Sequence, residues 1–198
     1  GTGNAKKRKE MEALLASVGL DIRTLADFEN AIEVVEDGSS FAENAAKKAC
    51  EQAVHLNHWV LAEDSGIAVD ALGGRPGIYS ARYSGEGATD ASNNLLLLQE
   101  LKDVPKEKRR AHYVCHMTLS DPTGTVRADV EARCSGRIAA EPSGSYGFGY
   151  DPLFEVIEYH RTFGVLDPVL KSVLSHRARA ARLLIPHLTL LVDTGVLV

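Results

Sequence analysis

Cysteine is scarce in this chain. Cys50, Cys115 and Cys134 are odd in number and widely spaced, which argues against a disulfide framework and suits a reducing, cytoplasmic compartment. Long apolar runs are also missing. The one candidate, residues 183–198, is interrupted by Pro186, His187 and Asp193, so it does not read as a membrane span. No secretory leader is visible, and the sequence starts at Gly1 without a methionine, so targeting signals fall outside what it can report. There is no surplus of positive charge either: a net charge of -5 argues against a protein that coats nucleic acid, while leaving room for a local basic pocket. Two familiar phosphate signatures are absent. No Gly-Lys-Ser/Thr follows the first glycines, and the glycines at 144–149 lack the third glycine and following helix of a dinucleotide fingerprint. What remains is an ordinary globular composition, 198 residues with 44% hydrophobic and 25% charged, sufficient for a single domain over residues 1–198 with room for two lobes.

The stretch from Leu61 to Gly85 organises the rest. A short buried strand through Val60 and Leu61 is expected to end at Glu63, Asp64, Ser65 and Gly66, and Ile67, Val69 and Ala71 then alternate as a second extended piece. Adjacent carboxylates at a strand end are hard oxygen ligands suited to Mg²⁺, and one of them can take a proton from water. A solvated acidic turn is the plainer alternative. Beyond it, the glycine-rich run to Gly85 reads as a loop built for close backbone approach, with Arg75 and Arg82 able to reach an anion.

At the front, Gly1 to Asn4 leads into a helix whose Met11, Leu14, Leu15 and Val18 recur at helical spacing until Gly19. Unpaired amides at its start, with Lys6 and Lys7, make a phosphate seat; a solvated basic face competes with that reading. Residues 20–25 suit a strand. Ser40 with Glu43 fits a capping box opening the next helix, along which Ala42, Ala45, Ala46, Ala49 and Ala53 give a small-residue face. Lys47 and Lys48 diverge, so at most one serves a pocket. His55 and His58 sit at a metal-like spacing but read more simply as surface. Residues 111–120 alternate as a strand with His112, Val114 and His116 on one face and Tyr113, Cys115 and Met117 on the other, so the pleat splits any His-Cys-His zinc site. A return strand over 125–135 and a separate short strand over 136–140 follow.

The second informative stretch is residues 144–154. Glycines interleaved with Tyr146, Phe148 and Tyr150 suit a loop that stacks on a base, and Asp151 adds a directional acceptor. Lys171, Ser175, His176 and Arg177 then lead into a final helix expected over 177–187, and their donors suit a carbonyl-rich ring. Helix-start polar residues in solvent are the alternative.

Taken in order, Thr2-x-Asn4-x-x-Lys7, Ser40-Phe41-x-Glu43-Asn44-Ala45, Asp64-Ser65-Gly66, Leu72-Gly73-Gly74-x-Pro76-Gly77-x-Tyr79-Ser80-Ala81-Arg82-Tyr83, Gly147-Phe148-Gly149-Tyr150-Asp151-Pro152 and Ser175-His176-Arg177 resemble the Ham1/RdgB family of inosine triphosphate pyrophosphatases, the XTP/dITP diphosphatases. The resemblance implies a two-lobed α/β fold around a long mixed, twisted β-sheet flanked by helices, with the active-site cleft between the lobes. It further implies a homodimer and Mg²⁺-dependent hydrolysis of non-canonical purine nucleoside triphosphates to monophosphate and pyrophosphate, with no nucleic acid or membrane as partner. Carried over by position, Thr2, Gly3, Asn4, Ala5, Lys6 and Lys7 form the triphosphate loop and Lys48 is the second phosphate lysine. Asp64 is the proton acceptor and metal ligand, with Ser65 and Gly66 beside the substrate and Arg82 near the phosphates. Glu36, in competition with Glu33, and Glu63 complete the metal set. Phe148, Gly149, Tyr150, Asp151, Lys171, His176 and Arg177 make the nucleoside pocket, where donors read the oxygen at purine position six and refuse a 6-amino group.

Glu63 stands where the family usually has Asp, and Val165 where an acid is common. The resemblance also expects a strand ahead of Thr2. Upstream residues are therefore expected in the native protein, and the chain without them is expected to be impaired, because a missing central strand leaves ladder groups unpaired. A Maf-like pyrophosphatase, a nucleotide-binding module without turnover and a bare scaffold are the rival readings.

Overall fold

The computed structural model describes residues 5–197, apart from the side chains of Ala5, Lys6 and Arg8. Its helices are α1 (Ala5–Leu15), α2 (Phe41–Leu56), α3 (Asp90–Glu100), α4 (Pro168–Leu174) and α5 (His176–Asp193). Its strands are β1 (Val60–Val69), β2 (Arg110–Ser120), β3 (Val126–Ile138), β4 (Phe154–Val156) and β5 (Arg161–Thr162), hydrogen-bonded in that order. The α/β class matches the sequence reading. Among the described residues the sheet is antiparallel, and the parallel pair that would make it mixed does not occur there.

The chain divides into two compact units, one of residues 5–64, 115–132 and 177–197, the other of Ser65–Val114 and Arg133–His176. In the first, Leu15, Cys115, Met117, Leu119, Ala180, Ala181, Leu184 and Leu188 form a buried core, with Met11, Leu14 and Val18 of the first helical stretch packed against it. Each fully buried Leu contributes roughly 1.5–3 kcal/mol relative to exposure. Gly19 ends the N-terminal helical stretch in the left-handed region, at φ +74°. The small face expected of α2 is buried at Ala45, Ala49 and Ala53. Ser40 caps α2 by accepting from the Glu43 amide, whereas the Glu43 carboxylate accepts from the Ser39 amide, one residue further back than a standard box.

In the second unit, Ile67, Val69, Leu97, Leu101, Tyr113, Ile138, Tyr150, Leu153, Phe154 and Phe163 build the core. Tyr113 packs on Phe154 with ring centroids 4.6 Å apart, and Phe154 stacks on Phe163 at 5.5 Å.

Four boundaries differ from the sequence reading. β1 is one continuous strand, so Glu63 and Asp64 lie inside it rather than at its end. Gly66 does not end the strand; a Cβ there would stand 2.5 Å from the Gly77 carbonyl oxygen and collide with Ser80 Oγ, so glycine permits close approach of the 77–82 turn. β3 likewise runs through Gly136, where a Cβ would stand 2.5 Å from the Glu155 carbonyl oxygen, instead of breaking into two strands. Residues 20–25 form no strand: residues 21–23 are exposed, and Thr24 instead caps a 3-10 turn with Asp27. Finally, α5 continues through Pro186 to Asp193, because Leu188, Leu191 and Val192 carry the apolar face past the proline.

Candidate active site

Within the first unit, acids and lysines converge around Asp64. This side chain is 7% exposed. Its Oδ1 accepts from Lys48 Nζ at 3.1 Å and its Oδ2 from Asn44 Nδ2 at 3.3 Å. Both donors stand on the inner face of α2, one turn apart, which is how a helix presents residues i and i+4 to one strand. Asn44 also accepts the Gly38 amide at 2.8 Å, tying the acidic loop to the same point. The loop returns Glu36 to Lys48, 3.1 Å from the ammonium. Glu36 is thus the acid that shares Lys48 with Asp64, while Glu33 is exposed. Lys47 diverges, as its spacing required, and pairs with Asp37 at 2.6 Å. Burial pushes the Asp64 carboxyl above the ordinary aspartate range, opposed by the attraction and hydrogen bond of Lys48. Burial of this kind makes a carboxylate more basic, the property a general base requires.

Glu63 has a different role from the one expected. It is 5% exposed. Arg177 donates to both its oxygens, Nε to Oε2 at 2.7 Å and Nη2 to Oε1 at 2.8 Å. Lys7 lies 3.2 Å from Oε1, and the Cys115 thiol donates to Oε2 at 3.6 Å. A carboxylate gripped by a guanidinium fork and an ammonium is poorly disposed to ligate a cation, which corrects its place in the metal set. Arg177, 1% exposed, also donates to Glu10 of α1. Burial works against its charge, yet the attraction of Glu63 outweighs that and holds the guanidinium above its usual range. The Cys115 thiol is pushed well up by burial and by the charge of Glu63, so it stays protonated.

Mg²⁺ characteristically takes one or two carboxylates and completes its shell with water and substrate phosphate. Asp64 and Glu36, sharing one ammonium, fit that donor set. Among the described residues no group of three or more His, Cys, Asp or Glu is placed to hold a metal without such help.

Within the second unit, the loop around residue 148 and the start of the last helical stretch make a second cluster. Asp151, 2% exposed, accepts from Lys171 Nζ at 2.6 Å and from the Phe148 amide at 2.8 Å through Oδ2, and from the Tyr113 hydroxyl at 3.3 Å through Oδ1. The Lys171 ammonium sits 4.4 Å from the Phe148 ring centroid. Gly147 is required there, since a Cβ would collide with the Asp151 carboxylate and φ is +76°. The His176 ring stacks on Tyr113 at 4.6 Å with planes 10° apart.

Several expected site residues are placed elsewhere. Tyr150 belongs to the core and donates to the Ser80 carbonyl at 2.8 Å, so its ring is no stacking surface. The Gly149 amide donates to Asp90 and its carbonyl accepts from Asn94, which fixes the loop rather than offering it to a ligand. Arg75 is paired with Glu100 at 3.1 Å, whereas the exposed Arg82 lies over Tyr79 with its guanidinium 5.2 Å from the ring centroid. Ser65, next to Asp64 in β1, is half-buried. Thr2, Gly3 and Asn4 lie outside the described residues, as do the side chains of Ala5 and Lys6. His112 and His116 lie near carboxylates of their own, Asp70 at 3.8 Å and Asp129 at 2.7 Å, and His55 bonds the Asn30 carbonyl. Asn44 and Tyr113 carried no assigned role in the sequence reading. Asn44 was legible inside the motif that opens α2, and Tyr113 only as the residue two before Cys115 on the same strand face.

Comparison with known proteins gives the family. The Ham1 family matches residues 1–187. A dITP/XTP pyrophosphatase of Rhodopirellula baltica (strain DSM 10527 / NCIMB 13988 / SH1) is 57% identical over 98% of this chain and 94% of its own, and one of Geobacillus kaustophilus (strain HTA426) is 49% identical over 90% and 87%. Among solved structures, a HAM1 protein from Coxiella burnetii superposes with a TM-score of 0.88 at 35% identity, covering 96% of both chains. The Staphylococcus aureus Ham1 protein gives 0.85 at 36% identity, covering 94% of this chain and 95% of its own. This chain belongs to the Ham1 family.

Proposed function

We propose that this protein hydrolyses non-canonical purine nucleoside triphosphates, ITP, dITP and XTP, to the nucleoside monophosphate and pyrophosphate, with Mg²⁺ as cofactor. The observation that carries the reading is the buried Asp64 carboxylate, held between Lys48 and Asn44 with Glu36 on the same ammonium. The names of relatives, dITP/XTP pyrophosphatases at 57% and 49% identity, support the substrate class.

Water adds to phosphorus and the anhydride bond between the first and second phosphates breaks, pyrophosphate leaving with the bridging oxygen. Asp64 accepts the proton of that water, a role suited to a carboxylate whose burial raises its basicity. Lys48 and Lys7 are assigned to the phosphate oxygens, where fixed cations offset the charge that grows in the transition state. Asp64 and Glu36 would hold Mg²⁺, which when bound supplies further charge neutralisation on the same oxygens. At the base, Phe148 is assigned to stacking, and Lys171 with His176 to donating toward the oxygen at purine position six. An adenine amino group would meet donor with donor, leaving buried polar groups unsatisfied, a mismatch that discriminates strongly.

The test is pyrophosphate release from ITP, dITP, XTP, ATP and GTP, with Mg²⁺ and with EDTA. Release from the first three with Mg²⁺, a fall of two or more orders of magnitude for ATP, and loss of turnover in Asp64→Asn are expected. Binding of ITP without turnover would instead make the protein a nucleotide-binding module.

A further inference from the structure

We infer that Tyr113 is a positioning residue for base selection: it fixes the plane of His176 by stacking and the orientation of the Asp151 carboxylate by its hydroxyl, and so governs which purine is accepted. The inference rests on the reading that Phe148, Lys171 and His176 receive the base. Tyr113 lies in β2 and is 7% exposed. Its ring is nearly parallel to that of His176, 10° between planes and 4.6 Å between centroids, so the imidazole has little freedom to turn about its own plane. Its hydroxyl donates to Asp151 Oδ1 at 3.3 Å. The other oxygen of Asp151 holds the Lys171 ammonium at 2.6 Å and the Phe148 amide at 2.8 Å. Rotation of the carboxylate would therefore move both the ammonium and the loop that carries the stacking ring. One phenol thus touches the imidazole directly and reaches the ammonium and the aromatic ring through one carboxylate.

The hydroxyl cannot serve as an acid or base in the working pH range. Burial, followed by the negative charge of Asp151, pushes its pKa well above the ordinary tyrosine value, so it remains a donor. It acts through its neighbours, and replacing it by Phe removes one oxygen while keeping the stack on His176 and the packing on Phe154. Replacing it by Leu removes both functions.

The experiment is steady-state pyrophosphate release from ITP and ATP by wild type, Tyr113→Phe and Tyr113→Leu, with thermal melting of each. For Tyr113→Phe, KM for ITP should rise roughly five- to tenfold with kcat within about twofold, and the ITP-over-ATP ratio of kcat/KM should fall by a similar factor, the size of a weakened hydrogen bond to a charged group. Tyr113→Leu should lose more of that ratio. If Tyr113→Leu fails to fold, the Phe variant alone decides. An unchanged KM and ratio in Tyr113→Phe overturns the inference. So does a uniform loss on both nucleotides with a lowered Tm, which is what a merely structural tyrosine would give. A wild-type protein that releases no pyrophosphate from ITP overturns the underlying reading instead, and the two failures are told apart by that first measurement.

Discussion

The adjacent acids Glu63 and Asp64 show how much a single position owes to partners distant in sequence. Both are buried in β1. Asp64 meets Lys48 and Asn44, whereas Glu63 meets Arg177, 114 residues further on, and Lys7. The pair of acids was legible from the sequence and so was their importance. Their division of labour was not, because alternation along a strand says only that neighbours face opposite ways and not what waits on each side. The difference is measurable in stability. Glu63→Gln leaves a buried guanidinium with a weaker acceptor, and about 3 kcal/mol should be lost in urea denaturation. Glu36→Gln, whose side chain is 36% exposed, should lose within about 1 kcal/mol. Equal losses would show that the Arg177 contact contributes no more than a surface pair. Glu63→Gln should also leave Mg²⁺ affinity, read by calorimetry, within about twofold of wild type, since its oxygens are committed to cations of the protein itself.

At the scale of elements, the start of α2 was among the most legible features. α2 and α3 begin at Ser40 and Thr89, whose side chains accept from the amides of Glu43 and Ser92, and polar caps of this kind are written locally. Strand limits were less legible wherever glycine stood. Gly66 and Gly136 looked like interruptions, yet each is needed because another segment passes close by, a tertiary fact that no local pattern carries. Around Gly66, Ser80 Oγ accepts the Ile67 amide at 2.9 Å and donates to the Gly77 carbonyl at 2.6 Å, so the 77–82 turn is bonded onto β1. Gly66→Ala would force that turn outward. A loss of roughly 1–3 kcal/mol in chemical denaturation is expected, as for other overpacked sites. Ser80→Ala should be milder by itself, and combined with Gly66→Ala it should cost less than the two separate losses added, since the clash with the hydroxyl is gone. Additive losses would mean that the Gly77 carbonyl, not Ser80, sets the limit.

For the whole molecule, the ordered motifs from the first helix to His176-Arg177 made the family legible and, through it, led to the expectation of two lobes; where the two units divide was not legible, because β1, β2 and β3 each pass from one unit into the other. A division that cuts through strands leaves no linker or shift in composition to read. What the units share is a set of carboxylates held below their ordinary range: Asp37, Glu43 and Asp121 in the first, and Glu155 in the second. Glu155, buried like Asp121, is lowered by its hydrogen bond to Arg137 against the cost of burial, with Lys106 3.7 Å away. A carboxyl whose folded pKa is depressed stabilises the fold above its unfolded pKa, about 4.3 for Glu, and that stability is lost as pH falls through the folded value. Asp64, raised by burial, has the opposite sign and is stabilising only when protonated. Thermal melting of the metal-free protein between pH 7 and pH 3 should therefore show Tm falling on the acid side. Glu155→Gln should melt below wild type at pH 7, and the gap should close as pH drops, because protonation removes from the wild type the same charge that the substitution removes at every pH. A gap that stayed constant down to pH 3 would assign the role of Glu155 to packing and not to its charge.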